Sequence, residues 1–233
     1  MQKIEYKESP RPHVVVQNFL AIPAARECLE EAQWLEPVFV DAGIGSSPTE
    51  SDGCEECESQ IDIGKKGIRS NQVVYMDGHY KDRRYKSKIL QHLEQAIRLP
   101  FLLDAFDNFP NMFPIITQTT HMETILSSYG KCDFYGWHKD TILKKPASRI
   151  LTCVLHFNTE PQQYGGGELI LSGKTIEDQL PYPPVHNTAI FFESNQCIHA
   201  VNETRHEGEF KDNRFSINLW LGFAEDSTAH KYR

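Results

Sequence analysis

No stretch of the chain stays apolar for long enough to cross a membrane, and its first residues, Met-Gln-Lys-Ile-Glu-Tyr-Lys-Glu, hold no signal-peptide core. Cysteine is sparse: six residues, scattered except for Cys54-Glu-Glu-Cys57, which speaks against a disulfide framework and makes a reduced, cytoplasmic protein the expectation. That pair is half of a zinc site without a second half, and it lacks the strand–helix context of a redox motif, so Cys54 and Cys57 read as loop thiols. Positive charge is short as well. With 24 Lys and Arg against 32 Asp and Glu, the net charge of −8 disfavours non-specific binding to nucleic acid or an anionic membrane. Internal repeats, low-complexity tracts and domain linkers are missing too. What remains is 233 residues, 39% hydrophobic and 11% aromatic, which can bury a substantial core in a single domain, 1–233.

The first half of the chain alternates elements. Residues 13–20 are β-branched and read as a strand, and Pro23 opens a helix to about Trp34 with Ala25, Cys28, Leu29 and Ala32 on one face. A short strand is expected near Val38–Val40. From Gly43 to Arg69 the pattern is lost in glycine, serine and acidic residues, a length that suits either a lid over a site or a disordered surface excursion. Asn71–Tyr75 reads as a strand. Tyr85, Ile89, Leu90, Leu93, Ala96 and Ile97 then mark an amphipathic helix that Pro100 must end, and Leu102–Phe106 suits one more turn.

Beyond about residue 115 the character changes to short strands between Gly, Pro and Asn turns: Thr119–Tyr129, Ser148–Phe157, Glu168–Leu171, Thr188–Glu193, Cys197–Val201 and Arg214–Phe223. Such spacing indicates a sandwich or barrel. The expected fold is α+β, with a jelly-roll core at about 115–225 supported by N-terminal strand and helices at about 1–114.

Chemistry concentrates in Tyr129-Gly-Lys-Cys-Asp-Phe-Tyr-Gly-Trp-His-Lys-Asp140. On an extended segment His138 and Asp140 leave from one face, which supplies two ligands of a facial 2-His-1-carboxylate site. His199, in Cys-Ile-His-Ala-Val, is the candidate third ligand because it follows the apolar strand Ala189–Phe192. In Arg214-Phe-Ser-Ile-Asn-Leu-Trp220, alternation puts Arg214, Ser216, Asn218 and Trp220 opposite Phe215, Ile217 and Leu219. That polar face either meets solvent or turns inward. An inward arginine needs an anion, and a guanidinium with a hydroxyl two residues on can grip a carboxylate. Thr152 and His156 share a face of their strand. Gly165-Gly-Gly167 suggests a bulge or a close backbone approach, and Asn187 suits a left-handed turn.

In this order, Tyr129, His138-Lys-Asp140, Gly165-Gly-Gly-Glu-Leu169, His199-Ala-Val201 and Arg214–Trp220 resemble the Fe(II)/2-oxoglutarate-dependent dioxygenases of the prolyl 4-hydroxylase-like branch, over roughly Thr119 to Phe223; Gly67-Ile-Arg-Ser70 is similar more loosely. The resemblance implies a double-stranded β-helix with His138, Asp140 and His199 as iron ligands. It implies Arg214, Tyr129 and Ser216 as 2-oxoglutarate contacts, with Thr152 and His156 on the strand lining that pocket. The implied reaction hydroxylates an unactivated C–H bond with O2, releasing succinate and CO2, with ascorbate as reductant. Halogenases on this fold have a small residue where Asp140 stands, so the carboxylate implies an alcohol product. The substrate is open among a small molecule, a peptide and a prolyl or other residue of a protein. The segment Asn202–Asn213 is longer and more charged than the branch usually carries and makes Arg205 a rival for Arg214. Two other readings use the same fold. One is a metal- or ligand-binding jelly roll without turnover; the other, a nucleic-acid base demethylase, is disfavoured by the acidic balance.

Overall fold

The computed structural model describes residues 2–42, 69–100, 102, 106, 113–141, 147–175 and 177–224. The expected lid apart from Arg69, the pair Cys54 and Cys57, and most of the turn expected over 102–106 lie outside the described residues. In chain order the elements are strands Lys3–Lys7 (β1) and His13–Gln17 (β2), helix Ile22–Trp34 (α1), strands Val40–Asp41 (β3) and Gln72–Tyr75 (β4), and helices Met76–His79 (α2), Lys88–Ala96 (α3) and Phe113–Gln118 (α4). Ten strands follow: His121–Tyr129 (β5), Tyr135–His138 (β6), Leu151–Phe157 (β7), Gly165–Gly166 (β8), Leu169–Ser172 (β9), Gln179–Tyr182 (β10), Thr188–Glu193 (β11), Ile198–Val201 (β12), Thr204–Arg205 (β13) and Arg214–Gly222 (β14).

The strands pair antiparallel into a major sheet, β1-β2-β11-β7-β14-β5-β4-β3, a minor sheet, β10-β9-β12-β6, and a ribbon, β13-β8. The central strands of the major sheet are buried on both faces. On one side Val14, Leu155, Phe191, Phe215, Ile217 and Leu219 pack with Ala25, Cys28 and Ala32 of α1 and Ile89, Leu90 and Leu93 of α3. On the other, Val15, Val154, Ile190 and Phe192 meet Leu169, Leu171, Tyr182 and Val201 of the minor sheet. Two antiparallel sheets face to face with helices behind one of them make the expected jelly roll. Among the described residues no helix is long and apolar enough to cross a membrane.

Where element boundaries differ from expectation, local hydrogen bonding decides. The second amphipathic helix starts at Lys88 rather than Tyr85 because Ser87 caps it, its Oγ accepting from Leu90 N at 3.1 Å. Buried Glu31 of α1 accepts a second free donor of that helix end, Ile89 N, at 2.8 Å. Tyr85 instead sits exposed in a 3-10 turn, Arg84–Lys86. The strand expected near Val38–Val40 divides into a 3-10 turn, Glu36–Val38, and β3. Asn187 does take a left-handed φ of 57°. There its side chain brackets residue 20, accepting from Leu20 N at 2.9 Å and donating to Leu20 O at 2.8 Å. Strands β1, β6, β8, β10 and β13 have no counterpart in the sequence reading: β1, Lys3-Ile-Glu-Tyr-Lys7, alternates but is only five residues at the edge of the sheet, and the others are four residues or fewer.

Candidate metal centre

His138 ends β6, and His199 lies opposite it on β12 as its register partner. Asp140 follows two residues past β6, beyond the strand. The ligand atoms of these three buried side chains lie within 4.8 Å of one another, the one such group of three among the described residues. His138 Nε2 is 3.5 Å from Asp140 Oδ1, and His199 Nε2 is 3.4 Å from Oδ2.

The backbone sets both imidazole tautomers. His138 Nδ1 donates to the carbonyl of Gly136 at 2.8 Å, and His199 Nδ1 donates to that of Cys197 at 3.2 Å. A carbonyl only accepts, so each ring carries its proton on Nδ1 and turns the lone pair of Nε2 towards the carboxylate. Burial lowers the pKa of His199 to about 4, with His138 adding to the effect, which keeps the ring neutral. Burial pushes the Asp140 carboxyl up, but the charge of His199 and His138, when they are protonated, outweighs it and holds the carboxyl below the usual carboxylate range. Two imidazole nitrogens and a carboxylate oxygen converging on one point are a donor set that holds a divalent transition metal.

The surrounding groups fix this set. Thr152 Oγ1 donates to Asp140 Oδ2 at 2.9 Å and therefore accepts from Ser194 Oγ at 2.8 Å. Tyr135 stacks on His138 with ring centres 3.6 Å apart and planes 13° apart, while Phe192 tilts against His199 at 4.8 Å. Simple alternation would have separated Tyr135 from His138. They share a face because three steps of β6 oppose two of β12, His199 pairing with His138 and Val201 with Tyr135, a bulge that carries one extra residue.

Arg214 opens β14 and is wholly buried. Alternation along that strand therefore holds, and the polar face turns inward rather than to solvent. The guanidinium stacks 4.5 Å over the Tyr129 ring, its register partner on β5. Its Nε donates to Gly167 O at 2.7 Å, one terminal nitrogen to Ser216 Oγ at 3.1 Å and the other to His156 Nδ1 at 3.3 Å. All three partners are neutral, His156 because burial and then Arg214 depress its pKa. Since His156 accepts at Nδ1, its proton sits on Nε2, and that buried N–H has no partner among the described residues. A cation without an anion and a donor without an acceptor among the described residues, side by side, suit a carboxylate.

The glycine run serves this arginine. Gly167 has φ 72°, and a Cβ there would stand 2.6 Å from Arg214 Cδ; one on Gly166, at φ 74°, would collide with the carbonyl of Glu203. The structure thus brings together His138, Asp140 and His199, and beside them Tyr129, His156, Arg214 and Ser216. It places the Thr152 hydroxyl on Asp140. Arg205, the rival arginine, is exposed in β13. Sequence reasoning gave no role to Tyr135, Ser194 or the Gly167 carbonyl; the one signal was the glycine run itself.

Residues 124–222 match the model of the 2OG-Fe(II) oxygenase superfamily. An uncharacterised PKHD-type hydroxylase of Synechocystis sp. is 31% identical over 176 residues, 69% of this chain and 56% of that protein, so the chain spans little more than half of this relative. A prolyl hydroxylase of Trichoplax adhaerens, solved with a hypoxia inducible factor oxygen degradation domain peptide fragment, superposes with a TM-score of 0.62 at 16% identity, covering 90% of this chain and 83% of the other. A prolyl 4-hydroxylase of Pseudomonas putida gives 0.55 at 16% identity, covering 91% and 92%. Three converging ligand atoms, a buried arginine with no carboxylate partner among the described residues and a family match over the strands that carry them lead to one conclusion: residues 124–222 are a domain of the 2OG-Fe(II) oxygenase superfamily, and the chain shares the fold of the prolyl hydroxylases.

Proposed function

We propose that this protein is an Fe(II)- and 2-oxoglutarate-dependent hydroxylase. In this reading His138, Asp140 and His199 hold the iron, and Arg214 holds the distal carboxylate of 2-oxoglutarate with Ser216, Tyr129 and His156 around it. Residues of about 115–225 form the catalytic core, with 1–114 as its support. When bound, the iron supplies the O2 chemistry, in which 2-oxoglutarate is oxidised to succinate and CO2 while one oxygen atom enters a substrate C–H bond.

The chain's own residues bind, orient and shield. Fixed Nε2 lone pairs on both histidines present the metal with ligands that need no rearrangement. Thr152 restrains the plane of the Asp140 carboxylate. Arg214, dry and held by three neutral acceptors, offers its charge to an incoming carboxylate, and the orphan Nε2–H of His156 supplies a further hydrogen bond. Tyr135 and Phe192 cover the two imidazoles and keep water from them. The observation that carries the reading is the pairing of a buried His-Asp-His cluster with a buried cation that has no anion among the described residues.

A peptide or protein is the favoured substrate class, because the Trichoplax adhaerens enzyme that shares this fold was solved with a peptide; a small molecule is the alternative. The free thiols of Cys28, Cys132, Cys153 and Cys197 support a reducing compartment such as the cytoplasm. The test is purified protein with Fe(II), 2-oxoglutarate and ascorbate, followed for succinate. Slow, EDTA-sensitive succinate formation without added substrate is the expected outcome; no succinate in the presence of bound Fe(II) would favour a binding protein without turnover.

A further inference from the structure

One row of side chains crosses the major sheet beneath the metal centre. Glu123, Trp220, Thr152 and Phe192 are successive register partners on β5, β14, β7 and β11, so they stand on the same face. Two members already serve the cluster, since Phe192 packs on His199 and Thr152 donates to Asp140. Trp220 lies between Thr152 and Glu123. It is 5% exposed, and its indole N–H has no hydrogen-bond partner among the described residues.

The ring is nevertheless held firmly. The Arg149 guanidinium lies 3.8 Å over it, and Glu123 grips Arg149 twice, with Oε2 accepting from Nε at 2.8 Å and Oε1 from a terminal nitrogen. A buried donor without a partner is costly, and Thr152, the next member of the row, already holds one oxygen of the Asp140 carboxylate. We propose that Trp220 is a positioning residue for Asp140: its indole N–H donates to the carboxylate when that group holds a metal, and the Glu123–Arg149 pair locks the ring in the orientation this requires. The inference rests on the metal-binding reading above.

Replacing Trp220 with 3-benzothienylalanine keeps the shape and the stacking surface and removes only the N–H. Loss of one such outer hydrogen bond is expected to weaken Mn(II) binding by about 10- to 100-fold, with thermal unfolding of the metal-free protein unchanged. Arg149→Met, which releases the clamp and leaves the indole, should weaken Mn(II) in the same direction. Trp220→Phe gives a genetically encoded check on the first result. Wild-type Mn(II) affinity in the benzothienyl protein overturns the inference alone, as does a loss of affinity matched by an equal loss of thermal stability, which would mark a packing role. If the wild-type protein itself binds no metal, the metal-centre reading falls and carries this inference with it.

Discussion

At the scale of single residues, His138 and Asp140 have no substitute ligand beside them among the described residues: Tyr135, Phe192, Thr152 and Trp220 lie around the cluster and none matches an imidazole or a carboxylate. His138→Ala or Asp140→Ala should therefore abolish Fe(II) binding, read by metal titration, and turnover with it; retained turnover in either would remove the assignment. Arg214 gives a graded version of the same argument. Truncating one partner of a buried charge pair costs about 2–5 kcal/mol, so Arg214→Ala should raise the 2-oxoglutarate KM steeply. Arg205→Ala, at an exposed position, should leave it near the wild-type value. The reverse pattern would mean that the cosubstrate carboxylate lies at the ribbon β13-β8.

At the scale of elements, the start of β14 and the glycine run before β9 fit as one unit. The backbone at Gly167 takes a left-handed conformation so that its carbonyl can accept from Arg214 while its Cα lies against the arginine stem. Gly167→Ala adds a methyl where the stem already lies and imposes a φ that costs a residue with a Cβ about 1–3 kcal/mol. Urea unfolding should show a loss of about that size, and 2-oxoglutarate binding should weaken in step because the guanidinium must shift. A variant with normal stability and normal binding would show that the close approach relaxes freely. The helical layer follows a comparable logic, since Glu31 of α1 supplies the hydrogen bond that the start of α3 lacks.

At the scale of the whole molecule, three buried histidines tie stability to pH. His13 bridges the two sheets: it donates from Nδ1 to Arg11 O and accepts at Nε2 from Tyr182 OH. Burial lowers its pKa, as it does for His156 and His199. A histidine whose folded pKa lies below the ordinary 6.5 takes up its proton more readily when unfolded. Its contribution is complete above pH 6.5 and is lost as pH falls through the window down to the folded value, about pH 4 for His199. Urea midpoints of the metal-free protein should therefore be level above neutrality and decline steadily from about pH 6.5 downward. A flat profile between pH 7 and 5 would show that these rings protonate without penalty.

Much of this was legible along the chain because it is local. The period of two in Arg214–Trp220 separates a polar from an apolar face whatever the strand packs against. The glycine run and Asn187 announce backbone that other residues avoid, and Pro23 and the apolar spacing after it mark α1. The order of His138, Asp140, His199 and Arg214 was visible for the same reason. Tertiary structure decided what that order amounts to. Whether the polar face of β14 met water or the interior depended on a second sheet closing over it, and no periodicity encodes that closure. His199 was separated from nine other histidines by the pairing of β12 with β6, a contact between segments far apart in sequence. The bulge in that pairing put Tyr135 on His138 against its own alternation, and the register of β7 with β14 set Thr152 and Trp220 side by side at Asp140. Local sterics write the faces of each strand into the sequence, whereas the partner of each face is chosen by long-range packing.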